Sequence, residues 1–229
     1  MAISNTEASR AKEETQLRKG SMNIYEQYVL PPILNCLCGL RFLEAHRREI
    51  VSEARGLVLE IGIGSSLNEA FYLPERISQV IGIDPNKTLL NIASNRSHES
   101  KKINLVRGLS ETLPFRTNQF DSIVVTFCFC SIPNPNLALL EIKRVLKSGG
   151  EVHFCEHGLA PDARIQQWQR KIEPAWRILA GGCHLTRNIF DLFQGNEFEL
   201  TNSTTLYARN VPKIAGFIYK GTAKLRKNS

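Results

Sequence analysis

The stretch Leu57-Val58-Leu59-Glu60-Ile61-Gly62-Ile63-Gly64 constrains this chain more than any other. A short apolar run closed by glycines reads as a buried strand that ends in a tight turn. Gly62 and Gly64 remove Cβ atoms where a ligand can approach the backbone. Ser66 to Phe71 reads as the start of a helix whose free N–H groups face whatever lies on the loop. A second strand, Val80-Ile81-Gly82-Ile83, ends in Asp84, 20 residues beyond Gly64. That spacing suits an acid that binds ribose hydroxyls at the tip of the next strand. Three residues past Gly64, where a dinucleotide fingerprint has its third glycine, there is none, so a pyrophosphate cradle is incomplete. Glu60, two residues before Gly62, would repel a phosphate but suits a cationic ligand through a charge-assisted contact to an amine.

Strands and helices alternate from there. Thr88 to Ser97 reads as a helix, Ile103 to Val106 as a third strand and Phe120 to Phe127 as a fourth. Cys128 to Pro135 leaves that strand as a loop, and Asn136 to Leu146 follows as a helix stopped by Lys147-Ser148-Gly149-Gly150. Glu151 to His157 is the fifth strand. The alternation implies a parallel sheet with its ligands beyond the carboxyl ends of the strands. Pro161 to Ala180 reads as an amphipathic helix broken at Pro174. Thr186 or Asn188 can cap a helix running to Phe193, and Glu197–Thr205 and Lys213–Tyr219 read as two closing strands. Ahead of the glycine turn, Met22 to Cys38, interrupted at Pro31-Pro32, and Phe42 to Val51 read as two added helices.

With 229 residues the chain is long enough for one α/β domain with a substantial core. We expect a disordered polar segment over 1–20, a single domain over 21–221 and a basic tail over 222–229. The net charge of +7 is a C-terminal feature. From Thr201 onward there is no acid, while Arg209, Lys213, Lys220, Lys224, Arg226 and Lys227 are basic. Such an end suits a solvated surface or peripheral contact with anionic lipid, and no nucleic-acid partner is expected. No apolar run approaches the ~18 residues of a spanning helix, and Met1 to Gly20 has no apolar signal core. With six cysteines and none in a C-x-x-C pair, a reducing cytoplasm is the expected compartment.

Taken together, these motifs resemble class I S-adenosylmethionine (SAM) methyltransferases, of the small bacterial type related to the animal microsomal alkyl-thiol methyltransferases. The resemblance spans about residues 22 to 221. It is carried by Tyr25 through Pro32, Leu59 through Gly64, Asp84-Pro85, Phe120 through Pro133, Arg144 through Gly150 and Glu156-His157. Glu173-Pro174-Ala175-Trp176, running into Gly182-Cys183-His184-Leu185-Thr186-Arg187, extends it. It implies a Rossmann-like sheet of seven strands, mostly parallel with one antiparallel strand, preceded by N-terminal helices. It also implies SAM as cofactor. The loop Arg107 to Phe115 resembles that of the quinone methyltransferases, where backbone amides and an acid hold the adenine. The cofactor residues implied are Glu60, Gly62, Gly64, Asp84, Pro85, Ser110, Glu111 and Thr126.

Methyl transfer from a sulfonium is an in-line displacement that needs alignment more than strong catalytic groups. A thiol acceptor reacts as thiolate, so a base or a positive charge nearby helps. His157, at the end of the fifth strand, and His184 are the expected catalytic groups, and Tyr25, Tyr28 and Arg187 the expected substrate contacts. Cys183 reads as packing, since no covalent enzyme intermediate is needed. His153, Cys155 and His157 alternate along one strand, but no fourth ligand stands out, so no metal is expected. The acceptor is read as a small molecule, a thiol or a lipid-like amine. A quinone-ring carbon, or a non-catalytic nucleic-acid-binding module on the same fold, are the alternatives.

Overall fold

The computed structural model describes residues 41–97 and 102–226. The elements are α1 (Arg41–Val51), β1 (Gly56–Ile61), a single 3-10 turn (Glu69–Phe71), β2 (Ile77–Asp84), α2 (Lys87–Arg96), β3 (Ile103–Arg107) and β4 (Phe120–Thr126). They continue with α3 (Pro135–Val145), β5 (Leu146–His157), α4 (Ala163–Leu179), α5 (Ile189–Gly195), β6 (Phe198–Tyr207) and β7 (Phe217–Leu225). Three helices start on an asparagine cap. Asn86 accepts from the N–H of Thr88 and Leu89, Asn134 from that of Leu137, and Asn188 from that of Asp191.

The sheet has the order β3-β2-β1-β4-β5-β7-β6. Every pair among β1 to β5 is parallel, and β7 is antiparallel to both β5 and β6. The expected seven strands with one antiparallel member are therefore present. The chain moves outward from β1 to β3 and then crosses to β4 on the other side. The order reverses beside β1, and the crevice for a ligand opens there, beyond the carboxyl ends of β1 and β4.

Strand alternation sorts the core into two faces. Leu59, Ile61, Ile123 and Val125 pack with Ala138, Leu139, Ile142 and Val145 of α3 and with Phe193 of α5. Val58, Val80 and Val124 pack on the other face with Val51, Ala54, Phe71 and Tyr72. Glu60 shares the parity of Val58, so its carboxylate is delivered to that second face. Around Phe193, Phe129, Phe154 and Phe198 lie with ring centroids 5.5, 4.7 and 5.6 Å away. This aromatic nest fixes the ends of β4 and β5 against α5.

Four local expectations are corrected. The helix over Ser66–Phe71 is one 3-10 turn. Ser66 takes a φ of 61°, and Glu69 is bonded by the hydroxyls of Ser66 and Ser97, so the loop is pinned before a helix can propagate. α4 is not broken at Pro174. The proline faces solvent, and the helix is anchored in the turn ahead of it. Buried Gln169 bonds Ala160, Gly158 and Ile214, and Glu173 accepts from His184 and Thr186. The last strand runs over Phe217–Leu225 rather than Lys213–Tyr219, because it follows β5 from Ile218 through Lys224. The domain therefore extends past 221, and residues 222–225 belong to the sheet. Lys224, in the expected basic tail, pairs with Glu151, and Lys220 just before it pairs with Glu49, so part of the C-terminal positive charge is spent on internal ion pairs. The segments 1–20 and 22–38, with Tyr25 and Tyr28, lie outside the described residues. Among the described residues no helix is long and apolar enough to cross a membrane.

Candidate active site

A crevice of about 230 Å³ opens at the switch point. Its lining includes Glu60, Gly62, Gly64, Asp84, Pro85, Ser110, Glu111 and Thr126, the whole set expected to hold the cofactor. Gly62 has a φ of 67°, and a Cβ there would lie 2.2 Å from Cys128 Sγ, so only glycine fits the turn. Gly64 also takes positive φ, at 54°, and its N–H donates to Asp84 Oδ2 at 3.1 Å. Asp84 Oδ1 accepts from the Asn86 N–H at 2.7 Å. One carboxylate thus ties the glycine loop to the loop after β2. Burial pushes Asp84 up to about 6, against the N–H bonds of Asn86 and Gly64.

Glu60 is almost fully enclosed. Tyr72 Oη donates to Oε2 at 2.7 Å and Asn68 Nδ2 to Oε1 at 2.9 Å. Asn68 Nδ2 also reaches Thr126 Oγ1 at 2.9 Å. Arg47 Nη1 donates to Asn68 Oδ1 at 3.0 Å and to Thr126 Oγ1 at 2.8 Å. Burial pushes the Glu60 carboxyl up to about 7, against the bonds from Tyr72 and Asn68 and the charge of Arg47. Arg47, Asn68 and Tyr72 were not singled out from sequence. A signal for Arg47 did exist. It shares a helical stripe with Leu43, Ile50 and Val51, so an arginine occupies a core-facing position of α1.

Ser110 Oγ donates to Glu111 Oε2 at 2.9 Å, and Glu111 Oε1 accepts from the Asn134 N–H at 3.4 Å. Three buried acids, Glu60, Asp84 and Glu111, therefore face one crevice whose lining, among the described residues, holds a single cation, Arg47. This donor set suits an ammonium, a sulfonium, ribose hydroxyls and an adenine amine. A pyrophosphate would meet three carboxylates. The geometry fits SAM and not a dinucleotide.

The other wall is made by the ends of β4 and β5. Phe127 sits at φ 51°, an uncommon conformation for a bulky residue, held by its N–H bond to Cys155 O at 2.8 Å. The chain then turns through Cys128, Phe129, Cys130 and Ser131. His157 Nε2 meets Cys183 Sγ at 3.0 Å, and the ligating atoms of Cys130, His157 and Cys183 all lie within 4.8 Å of one another. His157 is separated from His153, whose Nδ1 meets Thr222 Oγ1 at 3.3 Å, and from Cys155, which packs with Ile50, Ala208 and Ile218. His184 turns its ring to Glu173, with Nδ1 to Oε1 at 3.0 Å, while its N–H donates to Cys130 O at 2.8 Å. Arg187 donates through Nη1 to Phe129 O. Of the residues expected to act on the acceptor, His157 comes together with two cysteines. His184 and Arg187 brace the loops that carry them. Glu156 lies next to this cluster in sequence. Its Oε1 accepts from the Cys128 N–H at 2.8 Å, and burial, with the charge of Cys130, pushes it up to about 8.

The strand order and the acid-lined crevice at its reversal define the class I methyltransferase fold. A SAM-dependent methyltransferase of Thermotoga maritima superposes with a TM-score of 0.62, covering 89% of this chain and 98% of its own, at 22% identity. Residues 59–154 match the family described as a methyltransferase domain. Thiol S-methyltransferase TMT1B of Homo sapiens is 31% identical over 188 residues, 76% of this chain and 74% of that one. Demethylmenaquinone methyltransferase of Staphylococcus carnosus is 38% identical over 72 residues, 31% of this chain and 30% of that one. The chain belongs to the SAM-dependent methyltransferases, on the branch that includes TMT1B. It is an enzyme of that class, and SAM is its cofactor.

Proposed function

We propose that the chain transfers the methyl group of SAM to the sulfur of a small thiol. The observation that carries this reading is the extent of similarity. A match of 188 residues is too long to fit within β1 to β5, so it takes in segments that flank the cofactor core. The 72-residue match to a quinone methyltransferase is short enough to fit inside that core, which any acceptor can share.

SAM supplies an electrophilic methyl on a sulfonium. In this reading Glu60 balances the charge of the methionyl ammonium across the crevice wall. Asp84, with each oxygen already holding one N–H, keeps lone pairs for the ribose hydroxyls. Ser110 and Glu111 receive the adenine, with Pro85, Leu109 and Ile132 as its apolar clamp. Thr126 accepts from Arg47 and Asn68, which leaves its own hydroxyl proton to donate into the crevice. His157, half-buried beside two sulfurs, is the group placed to favour a thiolate acceptor. The four described cysteines are all free, which supports a reducing compartment such as the cytoplasm.

The test is transfer of labelled methyl from SAM by the purified protein to a panel of small alkyl thiols, beside a cellular lipid and quinone extract. Label on a thiol is the expected outcome. Label confined to the extract would replace the acceptor by a quinone or a lipid amine and leave the cofactor assignment in place.

A further inference from the structure

Three soft or borderline donors, two buried thiols and a half-buried imidazole, converge at one point outside the cofactor site. Cys130 lies on the loop after β4, His157 ends β5, and Cys183 lies on the loop between α4 and α5. They are brought together from three elements, with both sulfurs buried and every donor atom within 4.8 Å of the others. Nothing in packing alone calls for this combination. Apolar side chains would fill the space without setting two buried thiols against an imidazole nitrogen.

We propose that Cys130, His157 and Cys183 bind a thiophilic divalent ion of the zinc type, whose fourth position takes the thiolate of the acceptor. The second clause rests on the thiol reading above, and the first does not. A tetrahedral ion at about 2.3 Å from sulfur and about 2.0–2.1 Å from nitrogen separates its ligand atoms by roughly 3.5–3.8 Å. The observed cluster reaches this if His157 and Cys183, now at 3.0 Å, part by about half an ångström and any pair as wide as 4.8 Å closes by about one. The surroundings hold the sulfurs in place. Trp176 Nε1 donates to Cys183 Sγ at 3.3 Å, Ser131 Oγ lies 3.5 Å from Cys130 Sγ, and the His184 N–H bolts the two cysteine loops together at Cys130 O. Such contacts orient and tune metal-bound thiolates.

A dication between Cys130 and Cys183 lets both sulfurs ionise.

Three protein ligands with no fourth His, Cys, Asp or Glu donor among the described residues match a zinc site that keeps one position open. Ser131, next to Cys130, and Gly181, two residues before Cys183, line the cofactor crevice, so the ion shares a wall with it. The acceptor R–SH loses its proton to solvent on joining the ion. The thiolate lone pair forms the new S–CH3 bond as the methyl–sulfonium bond breaks. That electron pair stays on the departing sulfur, and the products are a methyl thioether and S-adenosylhomocysteine.

The experiment uses the full chain, purified under reducing conditions without chelator. Zinc is measured per chain, then replaced by cobalt(II), and the absorption spectrum is read before and after adding a small alkyl thiol. One bound zinc per chain is expected, together with sulfur-to-cobalt charge-transfer bands in the cobalt form. C130S and C183S should each lose zinc affinity by about 100-fold, while C155S, whose sulfur lies outside the cluster, keeps it. Matching thermal melts show that the variants are folded. Substoichiometric zinc in folded, reduced protein overturns the site, as does a Cys130–Cys183 disulfide that persists under reductant. A cobalt spectrum unmoved by thiol overturns the fourth-position role. If metal binds but label from SAM reaches only quinone or lipid, the thiol acceptor fails and the metal site stands.

Discussion

The two walls of the crevice are built by opposite strategies. The cofactor wall is mostly local. Glu60, Gly62, Gly64 and Asp84 fall within β1, β2 and the loop between them, and backbone N–H groups do much of the positioning. The wall proposed to serve as the acceptor wall is assembled from afar. Cys130 and His157 are brought to Cys183 by β4, β5 and the loop after α4, and the aromatic nest around Phe193 sets where they meet. A local site tolerates change in the rest of the fold. An assembled site lets one cofactor scaffold carry many acceptors, because repacking a helix moves the acceptor groups and leaves the cofactor in place.

That division can be broken experimentally. The largest effect is expected from Asp84→Ala. It removes the ribose acceptor and also orphans the N–H groups of Gly64 and Asn86. SAM affinity should fall by about 3 kcal/mol, over a hundredfold, with some loss of thermal stability. Calorimetric titration reads it, and a loss of under about threefold would take Asp84 out of the cofactor wall.

Next is Glu60→Gln, which keeps the shape and removes the charge. A loss of about 2 kcal/mol in SAM affinity is expected. The pH profile sharpens the point. A carboxyl raised to about 7 is charged above that pH and neutral below it, so a cationic ligand binds more weakly as pH falls through 7. The glutamine variant should lose this slope and retain only the lower one from Asp84, near about 6. An unaltered profile would mean that Glu60 never faces the ligand's charge.

His157→Gln addresses the other wall. Turnover on the acceptor should drop by roughly tenfold or more while SAM affinity holds within about twofold. If SAM affinity falls in step with turnover, the two walls are not separable. The smallest effect belongs to Lys224→Ala, far from both. Its ion pair with Glu151 is half-exposed, so the melting experiment should show a change of no more than about 0.5 kcal/mol and activity should be unchanged.

The contrast also explains what could be read from sequence. Strand period, glycine turn and the spacing to Asp84 are local codes, and they located the sheet, the crevice and residues that line it. The partners of Glu60 were hidden. Tyr72 and Asn68 acquire meaning only when the loop after β1 folds back over the strand, and Arg47 only when α1 packs on the sheet. The trio at Cys130 was hidden for the same reason. His153 and Cys155 looked like companions of His157 because they alternate with it along one strand, whereas its observed partners come from two loops. Propensity misled at Ser66–Phe71, where hydroxyls bonded to Glu69 capture the chain in one turn. It misled again at Pro174, where tertiary anchors override a helix breaker.

Trp176 is one of only two tryptophans, and its indole N–H rests on Cys183 Sγ. Its partner Trp168 is more than half exposed on α4. Sulfur in contact with an indole drains its excited state, and the efficiency changes when the sulfur ionises, oxidises or takes up an ion. The chain therefore carries a built-in optical gauge of its acceptor wall. With Trp168→Phe silencing the solvent-facing signal, the emission of the remaining indole would follow the chemistry of Cys183 in real time, with no label attached.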